Sequence, residues 1–183
     1  LGFTKIKPDV PTLPETLREK GFLTGILGKT EHVTPSRPDA FAYRRGRYEM
    51  SNGRSQELYG RFTAEFLAQV KKEKKPFFLM VNAHDPHRPF DDRNPAAERD
   101  LSPKPDPAPA TDGKKRRKRP RGDYPAPSRI YQPGEIVVPG FLPDLPPIRE
   151  EIARYYSSVR RADDVVGRVL AELDEAGFAE NTL

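Results

Sequence analysis

The run Phe77-Phe78-Leu79-Met80-Val81 constrains the fold of this chain more than any other stretch. Five consecutive apolar residues leave no polar face, so a strand built from them must be covered on both sides, as in a parallel sheet with helices on either face. Pro76 stands directly before the run and stops any helix from entering it. Such a helix is read from Arg54 to Lys74, where Leu58, Phe62, Phe66 and Val70 recur every fourth residue and draw one apolar stripe along a charged cylinder. Lys71, Lys72, Lys74 and Lys75 crowd its C-terminal end, where the helix dipole favours cations. A shorter copy of this order opens the chain. Thr12-Leu13-Pro14-Glu15 has the T-x-x-E form of a capping box, Leu13 and Leu17 share a face, Gly21 supplies a stop, and Phe22 to Leu27 forms a β-type run ending at Gly28-Lys29. Helix followed by strand, twice, predicts a mixed α/β fold with a mostly parallel sheet.

Residues 33–53 carry Pro, Arg, Tyr and Gly without a sustained period and read as an ordered loop. Most of the 21 prolines fall between Pro89 and Pro147, which excludes long helices there. Within that span Glu135-Ile136-Val137-Val138 reads as a short strand, Tyr124 to Asp144 as an ordered crossing, and about 99–122 as a disordered basic insertion. The last element is a helix in which Ile148, Ile152, Tyr155, Val159, Ala162, Val166, Val169 and Leu173 alternate spacings of four and three. Gly177 ends it. No internal repeat is visible.

The 183 residues suffice for one domain with a core and not for two. Without cysteine there is neither a disulfide framework nor a thiolate metal site. No apolar run is long enough to cross a bilayer, so no membrane partner is expected. The formal net charge of +5 is local: removing the six cations of Lys114-Lys115-Arg116-Arg117-Lys118-Arg119 turns it into −1. That run has no aromatic or apolar partners and reads as a solvated loop rather than a nucleic-acid surface, so no nucleic acid is expected. The start at Leu1 and the end at Asn181-Thr182-Leu183, after a helix and at the lead-in to another strand, read as the bounds of an internal fragment.

Two clusters follow the two predicted strands. Gly28-Lys29-Thr30-Glu31-His32 offers an ammonium and an imidazole; Asn82-Ala83-His84-Asp85-Pro86-His87-Arg88-Pro89-Phe90 offers two imidazoles and a guanidinium. Ligands of open α/β sheets gather at the carboxyl ends of strands. A cation and imidazoles meeting there suit a tetrahedral oxyanion such as sulfate or phosphate, through charge and through a group able to protonate a leaving oxygen. The residues alone leave alternatives open. A surface lysine after a turn or a structural histidine at a strand end would look the same. Two imidazoles with Asp85 also admit zinc, although Pro86 between them rules out the helical His-x-x-x-His arrangement.

Three segments, TLPETLREKGFLTGILGK, KPFFLMVNAHDPHRPF and the stretch from Glu135 to Leu183, resemble in order the type I sulfatase family, in its heparan N-sulfatase-like branch. The resemblance covers most of the chain and fails in the Pro/Lys/Arg insertion. It implies an α/β/α sandwich of the alkaline-phosphatase superfamily, with residues 1–183 as the central part of a catalytic domain that hydrolyses a sulfate ester or sulfamate. Lys29 matches the family's lysine that contacts sulfate and steadies the nucleophile. His32 resembles the following histidine, though Thr30 and Glu31 intervene where the family's pattern has one residue. His87 matches the sulfate-holding histidine after proline, His84 is a second substrate-side candidate, and Arg88 joins them as a substrate-binding residue. Asp163 and Asp164 match an Asp of the helical signature and read as structural.

The resemblance also implies a formylglycine nucleophile and Ca²⁺, with the residues for both lying outside this chain. No metal ligand is nominated within it, Asp85 being a poor substitute for an oxygen cage. Val33-Thr34-Pro35-Ser36-Arg37 and Pro125-Ala126-Pro127-Ser128-Arg129 imitate the nucleophile motif but carry Val or Pro at its reacting position. The expected partner is a sulfated small molecule or glycan and the expected location periplasmic or secreted; by itself the chain is expected to be inactive. The alternatives are a phosphatase or phosphodiesterase of the same superfamily and a non-catalytic polyanion-binding remnant that uses the 114–119 run.

Overall fold

The computed structural model describes residues 7, 9–33, 37, 39–91 and 124–183. Helix α1 (Leu13–Glu19) leads to strand β1 (Leu23–Leu27), β2 (Tyr43–Arg45), helix α2 (Gln56–Glu73), β3 (Phe77–Val81) and the long helix α3 (Pro146–Glu175). The order in the sheet is β2-β1-β3, all parallel, with Gly25 opposite Tyr43 and Leu79, and Leu27 opposite Arg45 and Val81. The fold is therefore α/β with a parallel sheet flanked by helices. Because the strands are parallel and in register, their carboxyl ends open at one edge.

At α1 the Glu15 carboxylate accepts the Thr12 backbone N–H and hydroxyl, both at 2.8 Å. Those bonds, the backbone one first, hold the Glu15 carboxyl below its ordinary pKa. Ser55 caps α2 by accepting the Leu58 N–H, and Lys74 closes the helix in the left-handed region two residues before Pro76. Tyr59, Phe62, Thr63, Phe66, Leu67 and Val70 of α2 are buried. Phe66 presses so closely on β1 that a Cβ at Gly25 would stand 2.7 Å from its ring. The opposite face of β1 is covered by Ala40 and Phe41, which pack with Ile26.

The sequence expectations and the structure part in four places. The strand buried on both faces is the central β1, all five residues of which are inside, whereas β3 lies at the border of the three-stranded sheet and is half-buried. The supposed loop 33–53 contains β2, too short and too rich in arginine to show a strand period. The supposed strand 135–138 is irregular after a 3-10 turn at Pro133–Glu135, with Val137 82% exposed. Arg149 Nη1 takes the Ile136 carbonyl at 2.7 Å, an acceptor that a strand ladder would need. The fourth difference lies in α3. Its apolar stripe predicts the helix correctly but not the buried face: Tyr155, Val159 and Val166 are exposed, while Ala153, Ser157, Ser158, Arg161, Val165 and Glu172 are buried. The helix is turned by what its polar face has to meet.

Residues 92–123, which include the whole of the predicted insertion and its basic run, lie outside the described residues, as do Thr34, Pro35 and Ser36. Among the described residues no helix is long and apolar enough to cross a membrane.

Candidate functional site

The carboxyl edge of the sheet is laced together by backbone. The Gly28 N–H donates to the Arg45 carbonyl at 2.9 Å, and the Asn82 N–H donates to the Leu27 carbonyl at 2.8 Å, so all three strand ends are tied. Gly28 has φ +71°, and a Cβ there would lie 2.2 Å from the Asn82 oxygen and 2.8 Å from the Tyr59 hydroxyl. Only glycine fits so near another backbone. The Tyr59 hydroxyl, buried under α2, donates to that same Asn82 oxygen at 2.6 Å.

From this edge the chain leaves β1 through Lys29, exposed and in the left-handed region at φ +50°. A 3-10 turn, Thr30–His32, follows, and the His32 N–H donates to the Lys29 carbonyl at 3.1 Å. The two residues between Lys29 and His32 are thus absorbed in one tight turn, and the His32 side chain is exposed. Glu31 in the turn pairs with Arg47, which follows β2. The β1 and β2 loops are joined by that ion pair.

The third loop carries the histidine pair. The His84 N–H donates to the Gly53 carbonyl at 2.8 Å, and the His87 N–H to the His84 carbonyl at 3.0 Å. The peptide bonds Asp85-Pro86 and Arg88-Pro89 are cis, and the two imidazoles stack with centroids 4.8 Å apart. Burial, together with the positive charges of Arg54 and Arg47 and the neighbouring His87, lowers the His84 pKa to about 4. His84 is therefore a neutral imidazole at physiological pH. His87 is exposed, and its Nδ1 lies 2.5 Å from the Arg88 carbonyl. A carbonyl can only accept, so Nδ1 carries the proton and Nε2 is the atom able to take up or hand on another.

Beneath the histidines lies an arrangement that the sequence did not disclose. Asp85, with its side chain 1% exposed, accepts from Arg54 Nε at 2.9 Å, from Arg161 Nε and Nη2 at 2.6 and 3.0 Å, and from the Ser158 hydroxyl at 3.2 Å. The Nη2 groups of the two buried guanidiniums also bind the loop itself, while each Nη1 reaches a carbonyl elsewhere, Asn52 for Arg54 and Pro125 for Arg161. Arg54 Nη2 reaches the His87 and Pro89 carbonyls, and Arg161 Nη2 reaches the Phe90 carbonyl. The loop's shape is thus fixed from below by charge-assisted bonds. Neither arginine had a motif to mark it. An acidic residue inside a Pro-bounded loop beside a core strand was a signal that a buried cation must exist, without saying which.

This geometry corrects the zinc alternative. Asp85 turns inward to the arginines, and the histidine rings stack on each other instead of converging with it on a common point. The guanidinium of Arg88, named above as a substrate-binding residue, pairs with Glu151 of α3 and lies over the Phe90 ring. Ser128, in the second imitation of the nucleophile motif, gives its N–H and hydroxyl to Asp164, while Asp163 pairs with Arg160. Those contacts tether the crossing to α3. Among the described residues no group of three or more His, Asp or Glu side chains could hold a metal ion, so the residues here do not fit a Ca²⁺ cage.

The family model described as Sulfatase matches residues 2–183. The chain belongs to the sulfatase family. Human N-sulphoglucosamine sulphohydrolase is 31% identical to it over 188 aligned positions, covering 95% of this chain and 33% of the human protein. The sulfatase chain described here therefore spans about a third of the length of that relative.

Proposed function

We propose that this chain is the central part of a sulfatase catalytic domain, and that its carboxyl edge is where the protein holds the sulfuryl group of a sulfate ester or sulfamate. The observation that carries the reading is the register of Leu27 with Val81, from which Lys29 and the stacked His84 and His87 leave adjacent parallel strands, in a chain matched by the sulfatase model almost from end to end. Lys29 supplies a full positive charge for the sulfuryl oxygens. Neutral His84 donates one N–H without adding charge, and His87 donates from Nε2 to the same group in its doubly protonated form. We assign His32 the protonation of the leaving oxygen or nitrogen. The Asp85 hub keeps the histidine loop rigid, so these donors need not reorganise as charge develops.

A formylglycine nucleophile and Ca²⁺ belong to this reading as expectations from the family, supplied by residues other than those described. A sulfated glycan or a small sulfated sugar is the substrate class we propose, supported by the name of the human relative, and a periplasmic or secreted location accompanies it. The sulfatase match does not favour the phosphatase alternative.

Binding of inorganic sulfate to the chain, followed by NMR on the histidine ring protons, tests the proposal. Sulfate should shift His84 and His87, and Lys29→Ala or His87→Ala should weaken its affinity about tenfold, the order expected for one charge-assisted contact. Unchanged affinity in both variants would sink the assignment.

A further inference from the structure

The loop after β2 reaches the same edge as the histidines, and nothing in the sulfatase reading uses it. Arg47 begins a 3-10 turn there, Arg47–Met50. A Cβ at Gly53 would lie 3.1 Å from His84 Cβ, 3.3 Å from the Tyr59 hydroxyl and 3.4 Å from Arg47 Cβ, so Gly53 sits between the arginine and the histidine. The Arg47 guanidinium has few commitments. Nη2 donates to the Tyr48 hydroxyl at 2.8 Å, and Nε is buried without a hydrogen bond, its nearest carboxylate being Glu31 Oε1 at 3.4 Å in a loose ion pair. Beside it the Tyr48 ring is 60% exposed and stacks against the guanidinium at 4.8 Å.

An arginine fork held by a long ion pair, with an exposed aromatic plate next to it, is suited to an anionic sugar. Guanidinium recognises carboxylate and sulfate oxygens bidentately, and an aromatic ring receives the apolar face of a sugar. Glu31 would yield its place, since a substrate oxyanion offers Arg47 the short bonds that the 3.4 Å contact does not. We infer that Arg47, backed by Tyr48 and released from Glu31, is a specificity-determining residue that binds a second anionic group of the substrate, beside the sulfuryl group held by Lys29 and the histidines. The inference rests on that assignment of Lys29, His84 and His87. It makes the preferred substrate at least dianionic.

Calorimetric titration of the chain of residues 1–183 tests it with four probes: inorganic sulfate, glucosamine N-sulfate, the same sugar with an added sulfate ester, and a disaccharide of a uronic acid with glucosamine N-sulfate. The unaltered chain should bind one or both dianionic sugars more tightly than glucosamine N-sulfate, and which of the two gains reports whether the second group is sulfate or carboxylate. Arg47→Gln should abolish that gain, a loss of about tenfold, while changing inorganic sulfate by less than about twofold. Glu31→Gln should strengthen dianion binding about threefold, because it removes the competing carboxylate without touching Arg47. Arg47→Lys, which keeps the charge and loses the fork, should retain only part of the gain. Equal losses for sulfate and for the dianions in Arg47→Gln would overturn the inference, making the residue a support of the turn. So would a chain that does not distinguish one anionic group from two. If Lys29→Ala weakens sulfate binding and Arg47→Gln affects nothing, this inference fails alone; if no probe binds, the sulfuryl assignment fails with it.

Discussion

Replacing Asp85 by Asn keeps the shape of the side chain and removes its charge, so it isolates what the buried carboxylate contributes. In the native loop its two oxygens accept four bonds, three of them at 3.0 Å or less and all of those from guanidinium groups. An Asn oxygen at the Oδ1 position could still accept from Arg54, Ser158 and Arg161 Nη2. The amide nitrogen at the Oδ2 position would then face Arg161 Nε, a donor, across the 2.6 Å now spanned by an ionic bond. Donor against donor repels. Both guanidiniums would also remain buried without their counter-charge, because their side chains are 2% and 5% exposed. Breaking a buried pair in this manner costs about 3–5 kcal/mol, a large part of the ~5–15 kcal/mol that holds a domain folded. Urea denaturation of the two proteins should show a lower midpoint with an unchanged slope. NMR should show the His87 and His84 ring signals losing their distinct environments, since Arg54 and Arg161 hold that loop by the carbonyls of His87, Pro89 and Phe90. A loss below about 1 kcal/mol, with the histidine signals unmoved, would refute the claim that Asp85 fixes the loop.

The buried state of His84 makes stability depend on pH. With a folded pKa of about 4 against the ordinary value of 6.5, the unfolded chain takes up the proton first as the pH falls, so this contribution is complete above about pH 6.5 and declines towards pH 4. After discounting for the partial exposure of the ring the loss should be about 1–2 kcal/mol, measurable as the difference between the parent chain and His84→Gln in urea at pH 7 and pH 4.5; equal pH dependence in the two proteins would contradict it. Gly28→Ala should destabilise by about 2–4 kcal/mol, combining the left-handed backbone with a methyl group pressed on the Asn82 carbonyl, and should also weaken sulfate binding by displacing Lys29; thermal melting and the sulfate titration check both.

Much of the architecture was legible because it depends on neighbours in sequence. The helices followed from the i, i+4 recurrence of Leu58, Phe62, Phe66 and Val70 and from the 148–173 stripe, and their ends from Pro76 and Gly177. The histidine loop was legible as a candidate site because strand ends in a parallel sheet are where loops can converge. The face of α3 was not. An amphipathic stripe reports which side of a helix could be buried, but Arg161 and Ser158 are drawn inside by a carboxylate more than seventy positions away, and Ser157 accepts the Tyr131 N–H of the crossing. No periodicity contains that pairing. The same holds for β2, whose three residues become a strand through hydrogen bonds with β1, and for the 135–138 segment, whose Ile136 carbonyl is taken by Arg149.

What the sequence by itself determined is the three helices, the strands β1 and β3, and the list of groups that could act: an ammonium after β1, imidazoles after β3, and no thiol. Local sterics and solvation settle such matters within a few residues. What only the tertiary structure decided is the state of those groups. Asp85 became an internal anchor and not a ligand, Arg88 turned to α3, His84 became neutral, and Arg47 came to stand beside it across Gly53. Each of these follows from charges and backbone groups brought together from distant parts of the chain, and the energy of a buried ion pair or a desolvated imidazole exists only once that approach has been made.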